Sequence, residues 1–375
     1  MDKKYIKTFW NEKFFELPSN KIKSRITALK FNYLNNKIDI VYPYIFLCNK
    51  TTIYDKLLIS NTLQGNYVFL KDEVIQKIYE DSIPESEMEE LIDCIKKLKD
   101  AFISIVIFPE KNITIFGNSS KLPDSITMFL HHTTYNLKFL NLVGTYFAMP
   151  IWSPEFRRCE TRFSQQFTIN FADTTELNSD EINDAINAYM PSSATIYSHR
   201  YNPYIRSNKK AQNLETIIYC CPNCKKLFTL YSEFNCLKCK DCGTAVEFSS
   251  NGTILLSSNI TDLDSFAEFQ FNELNKQEFN NKPMIDYTGV KVIRMFENAI
   301  KDMGLANVKI YCNKVQVNYP DTSKNYSYHD VVRIEFDRNN TVILTMKDKE
   351  KLILSGNKNV NFYIIHDLLK IIKTI

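Results

Sequence analysis

Asn49-Lys50-Thr51-Thr52-Ile53-Tyr54-Asp55 is the stretch whose reading decides the fold of the first half of this chain. The apolar run Tyr44-Ile45-Phe46-Leu47 precedes it and a helix-like stretch from Asp55 to Leu63 follows, so the heptapeptide reads as a loop presented by a strand. Working outward, strand-like runs recur at 38–46, 67–70, 102–108, 113–116, 140–149 and 167–171. A helix is predicted over 85–100, where Leu91, Ile92, Ile95 and Leu98 keep helical spacing behind the start signal Pro84-Glu85-Ser86-Glu87. Strand and helix in alternation predict an α/β layer fold. One more amphipathic helix follows Asp180, and the polar segment from Ser192 to Lys210 is the expected domain boundary.

Composition bounds the function. A length of 375 residues predicts two or three domains, and 44% hydrophobic residues with 13% aromatic suffice for sizeable cores. A formal charge of +3 lacks the basic excess of nucleic-acid binders, so no nucleic-acid partner is expected. No run reaches the roughly 18 apolar residues of a membrane-spanning helix. Residues 1–37 interleave lysines with Phe9, Trp10, Phe14 and Phe15, a pattern that predicts a basic amphipathic helix lying on an anionic membrane or on the protein's own core. Ten cysteines without a signal-peptide pattern predict a reducing, cytoplasmic location, peripheral on the inner face of the cell membrane where that helix docks.

The densest chemistry lies in Cys221-Pro-Asn-Cys224 and Cys239-Lys-Asp-Cys242-Gly243. Two such knuckles at this separation read as a zinc ribbon over 211–255, with Cys221, Cys224, Cys239 and Cys242 as ligands of a structural zinc. Cys220 and Cys236 adjoin the pattern, and Gly243, freeing the backbone after the last ligand, favours the set named. Beyond it a helix is predicted over 265–280. Short strands with hairpin spacing follow at 308–312, 315–319, 331–336, 342–346 and 351–354, then a terminal helix over 359–372. This small mostly-β domain, 260–375, is similar in outline to a pleckstrin-homology module, an analogy that carries little function.

The heptapeptide resembles the Asn-His-x-Ser-x-x-Asp signature of the glycerolipid (1-acyl-sn-glycerol-3-phosphate) acyltransferases, with Asn49, Thr52 and Asp55 matching and Lys50 in place of the His. Lys71 within 68–73, Phe108-Pro109-Glu110, Gly144-Thr145-Tyr146, and Pro150-Ile151-Trp152-Ser153 with Arg157 and Arg158 resemble later blocks of that family. The form with a Cys-rich insert and a C-terminal region belongs to low-GC Gram-positive bacteria. The resemblance implies an α/β acyltransferase layer fold over 1–200 and a place in bacterial phospholipid metabolism. It further implies transfer of an acyl group from acyl-CoA or acyl-carrier protein to a lysophospholipid-like or other acceptor. Lys50, Asp55 and Glu110 would be the catalytic positions, and Asn49, Thr52, Lys71, Phe108 and Pro109 the substrate-binding ones.

The departure at Lys50 leaves enzyme activity open. A general base works best with a pKa near the operating pH; an ordinary Lys is neutral at pH 7 only about once in 2,500 molecules. A neighbouring Asp55 carboxylate would raise it further, making the pair a salt bridge. Lys111 and Ile113 also stand where the family has Gly and Arg. His131 and His132 have no Asp five residues on, whereas Glu110 could act as a carboxylate in an apolar loop. Three readings follow: acyl transfer to a non-standard acceptor, a catalytically silent relative that binds acyl chains, membrane lipid or a partner enzyme, or a plain scaffold or zinc-ribbon binding module.

Overall fold

The computed structural model describes residues 10–11, 37–52, 55–110, 113–118, 122–133, 135–169, 179–189, 193–256, 260–296 and 299–374. The chain divides into two compact units, Met1–Pro150 with Phe156–Arg206, and Ile151–Glu155 with Ser207–Ile375.

The first unit is built on a six-stranded sheet. Its order is β1 (Trp10–Asn11), β5 (Tyr67–Leu70), β6 (Ser104–Ile107), β3 (Tyr44–Cys48), β7 (Asn136–Val143) and β8 (Arg162–Ile169). A separate parallel pair joins β2 (Ile38–Asp39) to β4 (Leu63–Gln64). The four inner strands run parallel, with Ile45 opposite both Ile105 and Leu137. Parallel strands covered on both faces need continuous apolar runs, and Ile45, Phe46, Leu47 and Cys48 are each 0% exposed. Helices follow as α1 (Asp55–Thr62), α2 (Asp72–Tyr79), α3 (Glu85–Asp100), α4 (Asp124–His131), the single turn α5 (Thr145–Ala148), α6 (Ser179–Tyr189) and α7 (Ala194–Tyr201). On α3, Leu91, Ile95 and Leu98 sit one turn apart and share a core with Ile45, Leu47, Ile105 and Ile107 of the sheet. Each such side chain contributes about 1.5–3 kcal/mol by leaving water.

The second unit opens with a four-stranded antiparallel ribbon, β9 (Leu230–Glu233), β10 (Cys236–Cys239), β11 (Ala245–Phe248) and β12 (Ile254–Leu255). Then comes α8 (Leu263–Asn275), started by a reciprocal cap in which the Asp262 carboxylate accepts from the Ser265 N–H. The largest sheet is last. It comprises β13 (Ile285–Phe296), β14 (Ala299–Ile310), β15 (Lys314–Asn318), β16 (Ser323–Ser327), β17 (Val331–Asp337), β18 (Thr341–Met346) and β19 (Lys351–Ser355), all antiparallel. A four-strand and a three-strand meander are joined where β13 pairs with β19. The terminal helix α9 (Tyr363–Thr374) buries Ile364, Ile365, Leu368 and Leu369.

These observations correct the expected α/β acyltransferase layer. The described chain is dominated by strands in four sheets, and its largest sheet is the seven-stranded antiparallel one rather than a small appendix. Strand–helix alternation holds only for the inner strands of the first unit; β1 and β8 run antiparallel at its edges. The segment read as a strand over 140–149 turns helical at Thr145, and 113–116 lies outside any strand. Local apolar spacing marks where strands lie, but direction and sheet membership come from distant partners. The same holds for Trp10, expected on an amphipathic helix: it pairs with Leu70 and is buried. The remainder of residues 1–36 lies outside the described residues. Among the described residues no helix is long and apolar enough to cross a membrane.

Candidate functional sites in the Asn49–Asp55 loop and a four-cysteine cluster

Strand β3 delivers the loop to the carboxyl ends of the parallel strands, and the start of α1 carries Asp55 back beneath it. Asn49, 0% exposed, ties the loop to β7: its Nδ2 donates to the Leu142 carbonyl at 2.8 Å and its Oδ1 accepts from the Leu142 N–H at 2.6 Å. The Asp55 carboxylate accepts the Thr51 N–H (2.5 Å) and hydroxyl (3.1 Å) and the Thr52 N–H (2.7 Å) and hydroxyl (2.8 Å). The Thr51 hydroxyl also meets that of Thr145 at 2.5 Å. Burial pushes the Asp55 carboxyl up from 3.8 to about 6, against these hydrogen bonds, which favour the ion.

Lys50 turns elsewhere. Its N–H donates to the Glu110 carboxylate, and its Nζ lies 3.4 Å from Asp72, which Lys56 also reaches at 2.8 Å. Burial would raise the Asp72 carboxyl, but the two ammonium groups hold it below its ordinary value. Lys50 therefore pairs with Asp72 at the start of α2, where the sequence placed a pair with Asp55. Glu110 follows Phe108 and Pro109 off β6, and all three are buried. Lys71 is the N-cap of α2, its carbonyl accepting from Val74 and Ile75 at 3.1 Å. Lys111 lies outside the described residues. His131 and His132 stand exposed at the end of α4.

Thus Asn49, Lys50, Thr52, Asp55 and Glu110 share one loop region, while Lys71 serves a helix start. The sequence reading missed Asp72, Leu142, Thr51 and Thr145. Asp72 had a weak signal, an acid in the first turn of a helix; Leu142 engages only its backbone and leaves none. Gly144, before Thr145, has φ +86°, and a side chain there would meet the Glu160 carbonyl at 2.3 Å, so the tight approach of β7 to that backbone needs glycine.

The second site is the cluster of Cys221, Cys224, Cys239 and Cys242, whose Sγ atoms all lie within 4.8 Å of one another. Two knuckles of the same design build it. The Lys225 N–H donates to the Cys221 carbonyl at 3.0 Å and the Gly243 N–H to the Cys239 carbonyl at 3.2 Å. In return the Cys221 N–H donates to Lys226 (3.0 Å) and the Cys239 N–H to Thr244 (2.9 Å). Each knuckle closes through a left-handed residue, Lys225 at φ +61° and Gly243 at φ +70°. A tetrahedral metal with metal–sulfur bonds of about 2.3 Å requires sulfur–sulfur edges of roughly 3.8 Å. The observed edges are 3.6 Å for Cys221–Cys242 and 3.8 Å for Cys224–Cys239, so the four thiols fit such an ion. Cys236 sits on β10 opposite Glu233 and Glu247, and the Cys220 thiol faces the Lys225 carbonyl at 3.5 Å; neither belongs to the cluster.

No protein-family model matches the chain, and no curated protein matches it.

Proposed function

We propose that this chain is a non-catalytic binding protein, a catalytically silent relative of the glycerolipid acyltransferases, in which the Asn49–Asp55 loop serves as a structural brace. The observation that carries this reading is the Asp55 carboxylate, held by four hydrogen bonds from Thr51 and Thr52 while the Lys50 ammonium is drawn to Asp72. A base must reach the acceptor's proton and be oriented by a partner, and this loop offers neither arrangement. The ligands proposed are acyl lipids or acyl thioesters, bound without turnover.

We further propose that the four cysteines hold zinc in a structural role. Soft thiolates select zinc, and four of them fill a tetrahedral shell with no position left for water or substrate. Bound there, zinc would contribute folding energy and no reaction chemistry.

The test follows thiol released from acyl-CoA, with and without lysophosphatidate. Wild type and Asp55→Asn should both release thiol at the rate of buffer. Lys50→His should add nothing, although a base properly placed would give about 100- to 10,000-fold. Turnover by the wild type that Asp55→Asn abolishes would refute the silent reading, and dependence of that turnover on lysophosphatidate would favour ordinary glycerolipid acylation.

A further inference from the structure

Between Asp184 and Glu215 the sequence contains no acidic residue, yet it carries His199, Arg200 and Arg206. In the first unit these residues lie on α7 and the segment that follows it. Arg206 lies opposite Arg158 in an antiparallel bridge, its N–H donating to the Arg158 carbonyl at 2.8 Å, and both side chains are exposed. Residues 202–206 alternate, with Pro203 and Ile205 buried and Tyr204 and Arg206 turned outward. On α7, Arg200 lies over the Tyr201 ring at 5.4 Å and Arg162 over the same ring at 4.7 Å. Arg158 and Arg206 thus lie side by side, Arg162 and Arg200 share the Tyr201 ring, and the Glu160 carboxylate pairs with Arg162 at 2.7 Å.

Apolar groups accompany them. Ile196, one turn before Arg200, is 67% exposed, and Tyr204 is 64% exposed. Arginines beside an outward aliphatic side chain and a tyrosine match the boundary between lipid headgroups and acyl chains. There the cations meet phosphate while the apolar groups leave water. Single-stranded nucleic acid fits less well, because it requires open aromatic faces for base stacking and the Tyr201 ring is already taken by two guanidiniums.

We infer that the exposed side of α7 and the Asn202–Arg206 segment is a docking surface for an anionic membrane. Ala194 and Tyr197 of α7 line a pocket with Thr51 and Thr145 of the loop site, but none of Ile196, Arg200, Tyr204 and Arg206 lines it, so the inference holds whether or not the chain is catalytic.

The test is sedimentation of the full chain with phosphatidylcholine vesicles, with and without phosphatidylglycerol, at low and high salt. Binding should need phosphatidylglycerol and weaken with salt. Arg200→Gln with Arg206→Gln should lower partitioning about 30-fold, from roughly one kcal/mol for each charge near the surface. Arg200→Lys with Arg206→Lys should stay within a few-fold of wild type, since phosphate attraction survives as a point charge. Unchanged partitioning of the Gln variant, equal binding to neutral vesicles, or no binding by the wild type would each overturn the inference. So would tighter binding to a single-stranded oligonucleotide than to vesicles. Thermal melting of both double variants separates loss of docking from loss of fold.

Discussion

Asp55 shows what surrounds a carboxylate that is buried at the start of a helix. A fully buried carboxylate is costly, and here it is tolerated because the backbone and hydroxyl donors of Thr51 and Thr52 surround it. Its folded pKa of about 6 lies above the ordinary 3.8, so between these values the folded chain holds a proton that the unfolded chain has released. That contribution to stability is fully present below 3.8 and is lost as pH rises through about 6. The size is about 3 kcal/mol. Urea unfolding at pH 4, 5, 6 and 7 should therefore show wild type losing stability relative to Asp55→Asn as pH rises, with no further divergence above 7. A wild-type and variant pair that stays parallel across this range would show that the four hydrogen bonds, rather than burial, set the protonation of Asp55.

At the scale of elements, the two cysteine knuckles are the clearest agreement between sequence and structure. Cys-x-x-Cys places both sulfurs within one tight turn, which is local geometry and hence readable. The first knuckle uses Lys225 at φ +61° where the second uses Gly243, so glycine marked only one of them. Elemental analysis of the purified protein should find close to one zinc per chain, and Cys239→Ser should lose it. Apparent binding energies of ~10–16 kcal/mol in zinc-finger peptides match a whole domain's stability of about 5–15 kcal/mol. The variant's ribbon should therefore unfold below the wild-type transition. Metal-free wild type with the same melting temperature would exclude a structural zinc.

At the scale of the molecule, residues Ser207–Ile375 form one unit in which the ribbon is bolted to two helices. Gln270 of α8, 0% exposed, accepts the Tyr219 N–H at 3.0 Å and donates to the Ile217 carbonyl at 3.1 Å. The Tyr219 hydroxyl donates to Asp367 of α9 at 2.6 Å, and Asn361 Nδ2 donates to the Glu215 carbonyl at 2.8 Å. Tyr219 lies two residues before the first thiol ligand, so order in the knuckle and docking of α9 are linked. Chelation should reduce hydrogen-exchange protection in α9 as well as in the ribbon. Tyr219→Phe, leaving Asp367 with a lost donor, should cost about 1–3 kcal/mol and weaken that linkage. Protection in α9 that is indifferent to chelator would show two independent modules.

The sequence by itself determined what is short in range. Tyr67–Leu70 as a strand, Glu85–Asp100 as a helix, the outline of the C-terminal strands and the four clustered thiols all follow from periods of a few residues or from one turn's geometry. The alternation of β13 and the first half of β14 is broken by register shifts near Gly289 and Gly304, which hid them from that reading. Only the tertiary structure decided that β1 and β8 run antiparallel, that Trp10 belongs to a strand, and that Lys50 meets Asp72 rather than Asp55. Those outcomes depend on distant partners, Leu70 for Trp10, β7 for β8 and Asp72 for Lys50, just as Thr51 meets Thr145 from far along the chain. Spacing along a chain reports which side chains share a face; it does not report which distant groups that face will touch. The seven letters from Asn49 to Asp55 do not say where the Lys50 and Asp55 side chains turn; the fold sends Lys50 to Asp72 and surrounds Asp55 with Thr51 and Thr52.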